Sequence, residues 1–131
     1  MTRTADVRRE LAAILEAALP GWSIYPEPPA GVVAPAVAVA PGEPYRTTTA
    51  YRMEEVQLRL LVLLSAGATG ALDLLDDAIE LVLLALMSQP TNAATPLAVR
   101  QVGSVGLIQD IGGVQLLSAT VDVTATIERS R

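Results

Sequence analysis

Residues 53–64 and 114–128 alternate apolar and polar side chains, and nothing else in the chain restricts its fold as much. In the first stretch Val56, Leu58, Leu60, Val62 and Leu64 fall on one side, opposite Glu55, Gln57 and Arg59 and then Leu61 and Leu63. In the second, Leu117, Ala119, Val121, Val123, Ala125 and Ile127 alternate with Ser118, Thr120, Asp122, Thr124, Thr126 and Glu128. Successive side chains of a strand point to opposite faces, so this period predicts two long strands, each with one face on a core. The free face of the first is polar at its start and apolar at its end. That strand is expected to run from solvent, or from a partner, into a covered region.

Something must cover the apolar faces, and the chain supplies two helical patterns. In the first, Val7, Leu11, Ile14, Leu15 and Ala18 recur at helical spacing. Thr4 is placed to cap that helix, Asp6 lies in its first turn, and Pro20-Gly21 ends it. The second covers residues 71–87 after a turn at 67–70, with Thr69 as its candidate cap. It carries Leu72, Leu75, Ile79, Val82, Leu83 and Leu86 on one stripe, widened by Leu74, Ala78, Leu81 and Ala85. A helix apolar on most of its circumference is expected to be buried on several sides: against the first helix, the sheet and another chain.

Between the helices, residues 22–25 read as a short strand, and the Pro-rich run 26–31 breaks the pattern. Val37 and Val39, flanked by Pro35 and Pro41, give a second short strand suited to an edge. Residues 41–52 show neither period and read as a long loop, the kind of segment that usually carries function. Beyond the second helix, a polar loop at 89–96 precedes strands at 97–109 and 114–128, joined by a hairpin turn at 110–113. Gly103 and Gly106 suggest a bulge or bend in the former. The order is α-β-β-β-α-β-β. It predicts an α+β fold, a mainly antiparallel sheet of about five strands with two helices packed on one face.

Composition narrows the chemistry such a fold can carry. The chain has no histidine, cysteine, lysine or phenylalanine, yet 51% of it is hydrophobic. The commonest proton shuttle, the best side-chain nucleophile and the usual zinc ligands are therefore missing, so neither enzymatic activity nor a cofactor or metal is expected. At 131 residues a single domain spanning 1–131 is the natural size, with roughly two-thirds of its unfolded surface buried. A net charge of −5 argues against wrapping nucleic acid. The opening residues have no apolar signal core, and no apolar run approaches the ~20 residues a membrane span needs. A soluble intracellular protein that does not engage membranes is expected.

The constellations that remain are modest. Residues 67–70 lack the spacing and the lysine of a phosphate-binding loop. Asp73, Asp76, Asp77 and Glu80 form the acidic cluster, on one side of the second helix. A solvated face is the ordinary reading. Pairing with arginine of the same or a neighbouring chain, or collecting a divalent cation, are the alternatives. Tyr45, Arg46, Tyr51 and Arg52 in the long loop are the residue types that dominate interface hot spots, and so form a candidate contact loop.

The element order, the size, the opening helix with Arg8-Arg9-Glu10-Leu11 and the Pro20-Gly21-Trp22 stop together resemble the tail terminator proteins of long-tailed, siphovirus-like bacteriophages. The likeness extends through the long strand, the Leu-rich helix and the final hairpin ending Thr124-Ala125-Thr126-Ile127-Glu128. It implies a virion structural protein, made in the host cytoplasm and built into the tail neck. Such a protein forms a ring, usually of six copies, that caps the head-proximal end of the tail tube and stops its polymerisation. The ring meets the head connector, and DNA passes only through its lumen. A ring needs two unlike patches on each chain that meet head to tail. Candidates are Glu55, Gln57 and Arg59; Thr120, Asp122 and Thr124; and the acidic helix face Asp73, Asp76, Asp77 and Glu80. A head-closure or adaptor protein of the neck is the nearest alternative, and a small-ligand-binding or enzymatic α+β domain a more distant one.

Overall fold

A computed structural model describes residues 4–27, 33–50, 53–65, 70–88, 97–109 and 115–128. The described chain is a mixed α+β fold, two helices on a mostly antiparallel sheet, in the order α1 (Thr4–Ala18), β1 (Ser23–Tyr25), β2 (Ala36–Ala50), β3 (Met53–Ser65), α2 (Ala71–Met87), β4 (Leu97–Gln109) and β5 (Gln115–Glu128). The described strands form one sheet in the spatial order β1-β2-β3-β5-β4. Only β1 and β2 pair in parallel; β2 with β3, β3 with β5 and β4 with β5 are antiparallel. The two alternating strands lie side by side, Leu58 opposite Val123 and Leu60 opposite Val121. Their apolar faces therefore merge into one surface.

Both helices cover that surface. α1 packs against β1 and β2, α2 against β3, β4 and β5, and the helices touch each other. Val7, Leu11 and Leu15 of α1, with Leu19 just beyond it, share one core with Val37, Val39, Leu58, Leu60, Val62, Val121 and Val123 of the sheet and Leu75 and Val82 of α2. The stop after α1 follows its residues. The Leu19 N–H still reaches the Leu15 carbonyl at 2.9 Å, then Gly21 takes a left-handed φ of 84°. That conformation is cheap only without a side chain, and it turns the chain into β1.

Four expectations need correction. The stretch 41–50 is not a loop but the second half of β2, a strand of 15 residues rather than a short one. Pairing with β3 shifts between Pro41 and Arg46, then resumes with Arg46 opposite Val56. Both Pro41 and Pro44 fall within or beside that irregularity, where a missing N–H breaks no ladder bond. Second, Thr4 already belongs to α1 rather than preceding it. Third, the residue before α2 is Gly70 in a left-handed conformation, with no side-chain cap; Thr69 lies outside the described residues. Fourth, α2 meets α1 and the sheet as expected, but its buried stripe runs through Ala71, Leu75, Ala78, Ile79, Val82 and Leu86 and leaves out Leu72. Leu72, Leu74, Leu81, Leu84 and Met87 are 54, 49, 47, 50 and 69% exposed, because a single sheet can cover only one side of a helix.

The expected turns at 67–69, 89–96 and 110–113, and residues 28–31 of the Pro-rich run, also lie outside the described residues. Among the described residues no helix is long and apolar enough to cross a membrane.

Candidate functional site

Opposite the helices, the sheet presents its other face, and three strands bring polar side chains together there. β3 contributes Gln57 and Arg59, two residues apart and hence on the same side. β5 sets Thr124 opposite Gln57 and Asp122 opposite Arg59. On β4 the register slips between Val99 and Gln101, an extra residue against β5. The slip lets two consecutive side chains serve one face: Arg100 Nη1 donates to Gln57 Oε1 at 3.2 Å, and Gln101 Nε2 donates to Asp122 Oδ2 at 2.8 Å. Gly42 of β2 completes the surround. A Cβ there would lie 2.8 Å from Cβ of Gln57 and 2.9 Å from its carbonyl carbon, so only glycine fits without moving the strand.

Gly42, Gln57, Arg59, Arg100, Gln101 and Asp122 line a cavity of about 270 Å³ on the open face, together with Leu58. Its walls are cross-braced. Arg59 Nε donates to Asp122 Oδ1 at 3.0 Å, and the Thr124 hydroxyl donates to Gln57 Oε1 at 2.7 Å. Gln57 Nε2 in turn donates to Glu55 Oε2 at 3.4 Å. Burial opposes ionisation of Asp122, but hydrogen bonds from Gln101 and Arg59 and the charges of Arg59 and Arg100 outweigh it. The carboxyl is held below its ordinary range. Two guanidinium groups therefore face one carboxylate in the lining, with Glu55 beside Gln57 at its edge. Each guanidinium has five N–H donors in a fixed fork, so such a pair is suited to carboxylates and other oxyanions.

The expected interface residues thus separate into two places. Glu55, Gln57, Arg59, Asp122 and Thr124 belong to the open sheet face; Thr120 shares that face one register step away, opposite Leu61. Asp73, Asp76, Asp77 and Glu80 are exposed on α2, on the far side of the sheet. Among the described residues no group of acidic side chains is arranged to hold a metal ion. Of the four candidate contact residues, two lie on β2 rather than in a loop. Tyr45 packs against the core, Arg46 pairs with Glu54, and Tyr51 and Arg52 lie outside the described residues.

Arg100, Gln101, Gly42 and Glu54 were not singled out from the sequence, although two carried a signal. Leu97 and Val99 keep a period of two that Val102 breaks by one position, which is the mark of a bulge at Arg100. Glu54 stands in phase with Val56 and Leu58, a charge at a core position. No protein-family model matches the chain, and no curated protein matches its sequence.

Proposed function

We propose that this chain is a structural ring subunit of the tail terminator kind. In that role copies assemble head to tail into a ring that caps the head-proximal end of a phage tail tube, stops its polymerisation and joins it to the connector. The observation that carries the reading is the presence of two unlike surfaces on opposite sides of one sheet. One is a helix with five large apolar side chains about half exposed or more; the other is a polar, cross-braced cleft. A monomer gains nothing from leaving Leu72, Leu74, Leu81, Leu84 and Met87 in water, whereas a heterologous assembly buries such a face in each copy. The sequence resemblance supplies the tube and the connector as partners.

Negative-stain imaging of the purified chain, alone and with tail tube protein, tests this. Rings with a central hole that cap tube ends are expected. A strict monomer that leaves tube growth unaffected overturns the reading.

A further inference from the structure

We infer that the cleft over Gln57, Arg59, Arg100 and Asp122 receives the acidic ridge of α2 from a second copy of this chain. The inference rests on the ring reading and says which surface meets which.

Three features favour this occupant. The first is spacing. Asp73, Asp76, Asp77 and Glu80 lie at positions i, i+3, i+4 and i+7, so they share one helix face and span about 10 Å along its axis. The backbones of Arg59 on β3 and Arg100 on β4 are two inter-strand spacings apart, about 9–10 Å, but Arg59 leans to Asp122 of β5 and Arg100 reaches across β5 to Gln57, so the two guanidinium groups converge over β5. An acidic ridge laid over β5 therefore meets both guanidinium groups. The second is charge: the lining carries two arginines against one aspartate, and the helix ridge is entirely anionic. The third is relief. On β2 the residues flanking the cleft on the open face are the half-buried Ala40, opposite Arg59, and Gly42, which leave that side of the face low. The exposed Leu81, Leu84 and Met87 that follow the acids along α2 have somewhere to lie.

The geometry also has the symmetry a ring requires. Ridge and cleft sit on opposite faces of the same sheet, so one copy's ridge on the next copy's cleft leaves a ridge and a cleft free at the two ends. That is a heterologous contact, which propagates until the rotation closes it.

Charge reversal tests the pairing. The full-length chain is made as wild type, as Asp76→Arg with Asp77→Arg, and as Arg100→Glu. All of these positions are exposed, and a thermal melt confirms that each variant folds. In sedimentation experiments each variant alone is expected to show an apparent dissociation constant raised by about tenfold or more. An equimolar mixture of the two variants is expected to recover assembly. The arginine ridge of one then meets the glutamate cleft of the other, and the native acids meet the native arginine. Three results overturn the inference while leaving the ring reading intact: both variants assembling like wild type, weakened assembly that mixing does not restore, and citrate or phosphate saturating the cleft with no effect on assembly. A wild-type protein that stays monomeric overturns both.

Discussion

Glu54 and Arg46 lie on the helix-covered side of the sheet, at the end of the core row that begins with Val56. Arg46 grips the carboxylate with Nε on Oε1 and with Nη2 on Oε2 at 3.1 Å, and the Glu54 side chain is only 3% exposed. That bond raises the guanidinium pKa against the lowering effect of burial. On the loop assignment, replacing Tyr45 and Arg46 would leave folding untouched. The strand assignment reverses this. Arg46→Met is expected to destabilise the chain by about 1.5 kcal/mol, the low end for a hydrogen bond to a charged group because Arg46 is itself half exposed. Combining it with Glu54→Leu should cost less than the sum of the single changes, since an apolar pair needs no desolvated charge. Urea unfolding of the double-mutant cycle measures this; strict additivity would remove the coupling. Asp122 provides the pH-dependent counterpart. Its folded pKa lies below the ordinary 3.8, so its contribution is present above that value and is lost as the pH falls through the lower folded value. Asp122→Asn is expected to make the acid limb of the stability–pH curve shallower, and an unchanged slope would refute the assignment.

Among the elements, β3 and β5 carry the fold, because their full antiparallel register joins two alternating patterns into one apolar surface. Leu60 and Val123 are both fully buried in it. Leu60→Ala should cost about 2–5 kcal/mol and Val123→Ala about 1–3 kcal/mol, measured as shifts of the chemical denaturation midpoint. Losses well below 1 kcal/mol in both would mean the core lies elsewhere. β2 and β4 are less regular, and each irregularity has a use. The slip after Pro41 accommodates the prolines, and the slip at Arg100 aims a second cation into the cleft. β4, a sheet edge, carries two such slips, and irregularity of this kind blunts the straight ladder that invites unwanted strand pairing. α2 carries a broader apolar arc than the chain itself covers: one stripe packs on α1 and the sheet, while Leu72, Leu74, Leu81, Leu84 and Met87 stay exposed.

At the scale of the whole molecule, the sheet separates two environments, and the assembly proposal depends on that separation. The order of elements, the period and inward row of the two alternating strands β3 and β5, and the span of α2 were legible in the chain. These are properties of adjacent residues: a period of two or of 3.6 fixes which side chains share a face before any partner is chosen. The cleft was not legible. It exists because β5 inserts between β3 and β4, bringing Arg59, Asp122 and Arg100 into one patch from positions far apart in sequence. Nor did local pattern reveal that residues 41–50 would be held as a strand, since their order comes from backbone bonds to β3. Periodicity is a local quantity, whereas strand neighbours, and the charges they bring together, are chosen by long-range pairing alone.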